Sequence, residues 1–581
     1  MEKIIDYISG QEIQNKPEEI DAVQPFSKRL VEDYGYPKSH IQTRPQFRVK
    51  VRPSDKKKEF PVDIAVFQDK NKSDGDEFIV VECKKKNEED GIGQLKDYLR
   101  FCRATLGVWF NGEELRFIRK YESDGKIEFE SIPNIPRYGQ RLEDLGKFKR
   151  KDLREPKNLK TIFRASKNYL AANNVGAVKD EPLAQQLINI IFCKIYDERF
   201  TAPEDLVRFR VGVDEDLIEV KNRILSIFDE VKTKYKDVFT EDDKIDLSEN
   251  SLEYLIGSLQ DYCLTDAKRD VISDAFEVFI GKALKGDKGQ FFTPRNVVKM
   301  MIEIIDPKED ELVLDPACGS GGFLVETLRY GWEKIEKKGK KLNWNEANLS
   351  EEKKAYAINS IRGMDLDGFL TKVCKAYMAI IGDGKGAIFV EDSLGEPSQW
   401  NGRANQYISK NQFDVILTNP PFGKDLTIDG EAKLSQFDLG YKWKYQKDSN
   451  TWEKDKLQKK VAPQILFIER CLDYLVEGGR MGIVLPDGMF GNESMSYIRN
   501  WLIKKAQIIA IVDIPLETFL PMTGTKTSVM FLKKLKKIPD NYETFMAIAE
   551  TCGHDRRGKE IPSDDILDIP KLYKDWEKKQ K

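Results

Sequence analysis

The chain has 581 residues, room for two to four domains, and its 40% hydrophobic and 33% charged content is that of a globular protein able to bury sizeable cores. A formal net charge of -3 argues against a globally basic nucleic-acid binder, so contact with a polyanion must come from local stripes or from a partner. Two histidines, His40 and His554, stand apart from every motif, and none of the eight cysteines forms a CxxC pair, which disfavours a Ser/His/Asp triad, a zinc site and disulfides. There is no apolar run near 18 residues and no signal peptide, so a cytoplasmic protein without membrane contact is expected.

In chain order, residues 1–136 predict a small α/β unit: a helix over 23–34, strands over 46–51, 62–67 and 77–83, a helix over 92–102 and a strand over 106–110. Within it, PVDIAVF and EFIVVECKK put Asp63 on one strand and Glu82 and Lys84 at the end of the next. Two carboxylates on neighbouring strands suit a Mg²⁺ ion held through oxygen. A lysine two residues past Glu82 shares its face of the strand, where it can orient water for attack on a phosphodiester. Gln94 and Tyr98 are four residues apart and so lie on one helical face. Such acid-lysine triplets are frequent in lysine-rich chains, and a solvated charged edge is the competing reading. Residues 137–158 are charge-rich and poorly periodic, as in a linker, and residues 159–285 carry apolar residues at three- and four-residue spacing, as in a helical bundle.

Over residues 286–545, strands at 312–315, 361–365, 387–391, 413–418, 480–485 and 508–514 alternate with helices, the rhythm of a doubly wound α/β domain. A charged insertion at 332–356 reads as a surface helix extension, and residues 546–581 as a polar tail. In ELVLDPACGSGGF, Gly319, Gly321 and Gly322 follow a strand ending at Asp315, where glycine lets the backbone approach a ligand and the next helix offers free N–H groups. Asp365 ends the next strand, where an acid can accept ribose hydroxyl hydrogens; it lies 43 residues past Gly322, the excess over a dinucleotide fold being the insertion. Asp392, after the third strand, suits a purine amino group. Taken singly, each aspartate also fits a helix cap or a solvated turn.

The sharpest motif is FDVILTNPPF, an apolar strand delivering Asn419, Pro420, Pro421 and Phe422. Exocyclic amines of bases are poor nucleophiles because their lone pair delocalises into the ring. The Asn419 side-chain oxygen and the Pro420 carbonyl form an acceptor pair for both amine hydrogens, Pro421 stiffens the loop, and Phe422 is placed to stack on a base flipped out of its duplex. Direct displacement at a sulfonium methyl needs no strong base, in keeping with the scarcity of histidine. The bland alternative is a proline turn after a strand.

DPACGSGGF and NPPF, with GQFFTPRNVVKMM (289–301), GGRMGIVLPDGMF (478–490) and GTKTSVMFL (524–532), resemble the N6-adenine DNA methyltransferases, and more narrowly the modification subunits of type I restriction systems, over roughly residues 160 to 535. The resemblance implies a Rossmann-like, S-adenosylmethionine-dependent domain preceded by a helical domain. It places Phe291, Thr293 and Pro294 at the methionine end of a cofactor site that also holds Asp315, Pro316, Ala317, Gly319, Ser320, Gly321, Asp365, Asp392 and Asn419. Cys318 follows Ala317 rather than the proline of cytosine-C5 enzymes and is read as a packing residue.

Residues 20–115 resemble the PD-(D/E)xK nuclease fold, most closely the amino-terminal domain of type I restriction subunits, although Val62 stands where a proline usually precedes the first aspartate. This implies a catalytic set of Asp63, Glu82, Lys84, Gln94 and Tyr98, with Mg²⁺ on Asp63 and Glu82. No G-x-x-x-x-G-K-[ST] segment is present, so no P-loop motor is expected. With about 45 residues beyond the methyltransferase core, a DNA-reading domain is expected on a separate specificity subunit, in a hetero-oligomer acting on double-stranded DNA. The resulting expectation is a restriction-modification subunit that methylates adenine N6 and cleaves unmethylated DNA. Two alternatives stay open: methylation only, with the nuclease-like domain serving DNA binding or assembly, and a non-catalytic cofactor sensor.

Overall fold

A computed structural model describes residues 3–50, 59–86, 88, 90–156, 159–173, 180–236, 238–265, 293–382, 387–400, 403–423, 426–449, 451–520 and 523–580. Its packing falls into two compact units, Met1–Lys236 with Thr240–Phe279, and Asp237–Phe239 with Ile280–Lys581.

The first unit is built on a six-stranded sheet in the order Lys126–Ser131, Leu115–Ser123, Leu106–Phe110, Glu77–Cys83, Ile64–Phe67, Ile41–Gln42. Only Glu77–Cys83 and Leu106–Phe110 run parallel, joined by the crossover helix Ile92–Phe101. Strand alternation sorts their side chains: Ile79, Val81 and Val108 face Phe26 and Leu30, whereas Val80 and Trp109 face Leu95 and Leu99 of the helix. Gly107 lets that helix lie close, since a Cβ there would come 2.8 Å from Leu99 Cδ1. The strand expected over 62–67 is broken by a bend at Asp63, so that Glu59–Val62 pairs with Phe47–Lys50 while Ile64–Phe67 joins the main sheet.

Helices Leu159–Asn173, Asp180–Phe200, Leu217–Lys234 and Glu249–Leu259 realise the helical patterning. The interval 137–158, read as a linker, is packed rather than extended: Leu145, Phe148 and Leu153 are buried with Val207 and Cys263. Its apolar residues were too sparse to show periodicity yet sit where two turns of 3₁₀ helix bring them onto one core.

The second unit carries an eight-stranded sheet in the order Ala387–Val390, Ile361–Asp365, Val313–Asp315, Phe413–Thr418, Leu475–Pro486, Thr527–Lys534, Ala506–Asp513, Phe545–Ile548. The first five strands are mutually parallel and Thr527–Lys534 is antiparallel to both neighbours. Val313 is opposite Ile361 on one side and Val415 on the other, so strand order reverses at Val313–Asp315, the switch point at which α/β sheets open a crevice. This is a Rossmann-like α/β domain. At the sheet's other end, Arg480 clamps Glu311 through two bonds of 2.9 and 2.8 Å.

The insertion at 332–356 folds back on its neighbour. Helices Gly322–Lys341 and Glu346–Ser360 pack together, with the Trp332 indole N–H donating to the Lys353 carbonyl at 2.8 Å. Residues 546–581 are likewise no free tail, because their apolar residues are spaced too widely to stand out as a sequence pattern but converge in three dimensions. Phe545–Ile548 extends the sheet, Ile569–Gln580 packs on helix Arg295–Ile305, and the Asn296 amide donates to Asp564 Oδ2 at 3.0 Å and to the Cys552 carbonyl at 3.1 Å. Among the described residues no helix is long and apolar enough to cross a membrane.

A Cβ at Gly331 would meet the Tyr356 ring at 2.2 Å. Gly331→Ala is therefore expected to lower stability by about 1–3 kcal/mol through overpacking, outweighing the roughly 1 kcal/mol that alanine gains in helix propensity. Thermal melts check this, and an unchanged or raised melting temperature would contradict the close approach.

Candidate active sites

In the second unit, the carboxyl ends of four adjacent parallel strands gather the residues singled out by sequence. Asp315 is buried, and burial drives its carboxyl up to about 7; the Thr418 hydroxyl and the Ala317 N–H oppose that shift and Asp365 adds to it. The Ala317 N–H reaches Asp315 Oδ1 at 3.1 Å, and the Pro316 carbonyl accepts from the Ser393 hydroxyl. The glycine turn is tied to the next strand: the Gly319 N–H donates to Asp365 Oδ2 at 2.8 Å and the Cys318 N–H to the Met364 carbonyl at 2.9 Å. Asp365 also accepts the Asp367 N–H on Oδ1 at 2.9 Å; burial raises its pKa and these N–H groups oppose the rise.

Gly319 and Gly321 have φ of 50° and 92°, the left-handed region that glycine enters without cost. A Cβ at Gly321 would lie 2.6 Å from Cys374 Sγ, whereas at Gly319 and Gly322 it would meet nothing within 4 Å. The turn therefore presents bare backbone to open space at the head of helix Gly322–Lys341, the arrangement a close-lying ligand needs. Ser320 and Cys318 are buried beneath it.

Asn419 follows strand Phe413–Thr418. Its amide N–H donates to the Thr293 hydroxyl at 3.0 Å, joining two motifs far apart in sequence, and Pro294 caps the helix that Thr293 precedes. Asn419 Oδ1 is enclosed yet finds no donor among the described residues. An orphaned buried acceptor costs about 1–3 kcal/mol, so a donor supplied from outside the described residues would stabilise it. Pro420 is buried and Pro421 half-buried. Phe422 departs from its expected role as an open stacking surface: its ring is 1% exposed and meets Phe519 edge-on at 6.5 Å. Phe291 lies outside the described residues.

Asp392 stands two residues past its strand, with Oδ1 accepting the Leu394 N–H at 3.0 Å and Oδ2 paired with Lys433. Sequence reasoning missed Lys433, since 41 residues separate the two and no spacing rule links them.

The first unit brings together all five residues of the amino-terminal set. The Cys83 N–H donates to Asp63 Oδ2 at 2.8 Å, which sets Asp63 beside Glu82. Burial, reinforced by the Glu82 charge, lifts Asp63 to about 7, and burial also raises Glu82. Lys84 Nζ is 2.6 Å from Glu82 Oε1 and donates to Gln94 Oε1 at 3.5 Å; Gln94 bonds the Tyr98 hydroxyl, which donates to the Pro61 carbonyl at 2.9 Å. Gly91, with φ of 101°, makes room: a Cβ there would fall 2.6 Å from Lys84 Cε. Glu18, unnoticed in the sequence because it precedes the set by 45 residues, adds its negative charge to Asp63 and Glu82. Among the described residues no group of three or more His, Cys, Asp or Glu is arranged to hold a metal ion. Two carboxylates alone suit Mg²⁺, which keeps most of its water.

The folded-state pKa of Asp63 lies above its ordinary value of 3.8. Stability from this group is thus full at acid pH and lost as pH rises through about 7. Asp63→Asn keeps the acceptor for Cys83 and removes the buried charge. It is expected to melt about 2–4 °C higher than wild type at pH 8, the shift of roughly 1 kcal/mol, and to match it at pH 4. A variant that melts lower at pH 8 would refute the raised pKa.

Two family models match separate stretches of the chain. Residues 267–581 match the family described as N-6 DNA Methylase, and residues 17–136 match the Type I restriction enzyme R protein N terminus. The Type I restriction enzyme EcoEI methylase subunit of Escherichia coli is 27% identical over 312 residues, 52% of this chain and 51% of its own. The MjaVII methylase subunit of Methanocaldococcus jannaschii is 24% identical over 413 residues, 68% of this chain and 64% of its own. The chain thus spans between half and two thirds of the length of these curated relatives. Among solved structures, the type I restriction-modification system methyltransferase subunit from Streptococcus thermophilus is 18% identical and covers 72% of this chain and 92% of its own, with a TM-score of 0.49. With the match to residues 267–581 extending over more than half of its length, the chain belongs to the N-6 DNA Methylase family.

Proposed function

We propose that this chain transfers the methyl group of S-adenosylmethionine to N6 of adenine in double-stranded DNA, as part of a hetero-oligomer in which a separate specificity subunit chooses the site. The observation that carries the reading is the uncompensated Asn419 Oδ1 beside an open glycine turn. The open backbone at Gly319 and Gly322 and the strand-end carboxylate of Asp365 fit the cofactor. When bound, it supplies an electrophilic methyl on a sulfonium centre.

The chain's own residues then position and polarise. Gly319, Ser320 and Gly321, with Pro316 and Ala317 behind them, line the space for the cofactor. Asp365 accepts the ribose hydroxyls, since each of its oxygens has a lone pair left after one backbone bond. Asp392 takes the adenine amino group of the cofactor while sharing Oδ2 with Lys433. Thr293 holds the Asn419 amide so that Oδ1, together with the Pro420 carbonyl, accepts both hydrogens of the target amine. That keeps the nitrogen lone pair out of the ring and aimed at the methyl group. Stacking on Phe422 requires local opening beside Phe519 as the flipped base enters.

We further propose that Asp63, Glu82 and Lys84, steadied by Gln94 and Tyr98, form a Mg²⁺-dependent site that cleaves DNA lacking the methyl mark. Two adjacent carboxylates with raised pKa values favour a cation between them, and Lys84 stands within 2.6 Å of Glu82. A methylation-only reading draws on one observation, the naming of the curated relatives as methylase subunits. Incubation of the chain and its specificity partner with unmethylated DNA and Mg²⁺ separates the two. Cleavage that disappears in Lys84→Ala but persists in Asn419→Ala establishes a second site, and no cutting in wild type leaves methylation alone.

For the methyltransferase site, Asn419→Ala is expected to lower methyl transfer at least about 100-fold while calorimetry finds cofactor affinity nearly unchanged. Collapse of cofactor binding in that variant would contradict the assignment. Asp365→Ala is expected to weaken cofactor binding about tenfold or more, or roughly 1.4 kcal/mol; equal affinity would remove Asp365 from the site.

A further inference from the structure

Between strand Phe413–Thr418 and helix Pro463–Tyr474 the chain makes a long excursion, and its part beyond Lys433 is used by neither the cofactor pocket nor the base pocket. Strands Phe413–Thr418 and Leu475–Pro486 run parallel, so the helix between them runs back along the sheet from the rim that carries Asn419. The excursion therefore leaves and rejoins the domain at the rim that carries Asn419.

Its body is an antiparallel ribbon, Tyr441–Gln446 against Thr451–Leu457. Alternation puts Tyr441, Trp443 and Tyr445 on one face and Lys442 and Lys444 on the other. A lone two-stranded ribbon is marginal in water, and here Trp443 and Leu457 anchor it. Trp443 and Leu457 pack against the domain core, the Trp443 indole N–H donates to the Asp438 carbonyl at 3.1 Å, and Lys454 donates to Asp438 Oδ1 at 3.0 Å. Trp452 lies 6.4 Å from the Tyr497 ring.

What the anchored ribbon turns outward is charge. Residues 441–460 hold seven lysines against three acidic residues, a net charge of +4 in a chain whose total is -3. Lys444 is paired with Asp455 and Lys454 with Asp438. Lys442, Lys447, Lys456, Lys459 and Lys460 are exposed, with no ion-pair partner among the described residues.

We propose that this ribbon is a duplex-DNA clamp, laying its free lysines against backbone phosphates beside the pocket that receives the flipped base. The proposal rests on the methyltransferase reading for its choice of occupant, because a rim that admits a base from a duplex must lie within reach of that duplex's phosphates. Such contacts are independent of sequence and release counterions, so each one steepens the fall of affinity with salt by about 0.9 in log–log slope.

The test uses the full-length chain, an unmethylated duplex of unrelated sequence, and fluorescence anisotropy across a salt series. The triple variant Lys442→Ala, Lys447→Ala, Lys456→Ala is expected to lower the salt slope by about 2–3. Its low-salt affinity is expected to fall at least tenfold on every sequence, while its melting temperature and its cofactor affinity by calorimetry match wild type. An unchanged slope overturns the clamp. So does a variant that binds DNA normally but no longer retains its specificity partner, which would make the ribbon a protein-docking element. A slope lowered in the triple variant, alongside a wild-type chain that never methylates adenine, upholds the DNA contact and sinks the methyltransferase reading instead, so the two fail separately.

Discussion

An acceptor held without its donor is the constraint around which the second unit is organised. Asn419 Oδ1 is sealed from water and has no hydrogen-bond partner among the described residues, a state that a fold tolerates only if the surroundings over-determine it. Three layers do so here. The strand Phe413–Thr418 fixes the backbone, the Thr293 hydroxyl fixes the amide, and the helix after Thr293 is in turn tied by Asn296 to Asp564 and to the Cys552 carbonyl. The carboxyl-terminal segment thus belongs to the support of the site, although it lies well over a hundred residues from Asn419 in sequence.

The amino-terminal unit poses an electrostatic problem instead. Asp63 and Glu82 share a poorly solvated corner, and both are driven toward the neutral form. Lys84 answers one of the two charges, reaching it across the notch that Gly91 leaves open. The two sites differ in kind: Asn419 Oδ1 has no partner among the described residues, whereas Asp63 and Glu82 are both hydrogen-bonded and are perturbed by burial and by each other's charge.

Much of this was legible in sequence, and the physical reason differs from element to element. Strands Phe413–Thr418 and Leu106–Phe110 have the expected ends, because each is a short, mainly apolar run bounded by polar or turn-forming residues and largely buried on both faces. Leu115–Ser123 and Lys126–Ser131 were missed; they lie toward one edge of their sheet, where solvated faces carry charged residues and dilute the apolar signal. The tetrad at 419–422 identifies its residues but not the state of the Phe422 ring, since enclosure by Phe519 depends on a segment almost a hundred residues later. The Lys433–Asp392 pair, the packed interval 137–158 and the folded-back insertion are all long-range or sparse features for which local periodicity holds no information.

The reversal of strand order at Val313–Asp315 has a consequence for how this architecture can vary. The glycine turn and the asparagine loop emerge from strands that are hydrogen-bonded neighbours, so their lateral separation is set by a lattice spacing of about 4.8 Å and not by the roughly one hundred residues of chain between them. Loops of any length can therefore be grafted at the intervening connections, as the helical hairpin after the glycine turn shows, while the glycine turn and the asparagine loop keep their lateral spacing. Diversification of contour is decoupled from the spacing of the two loops.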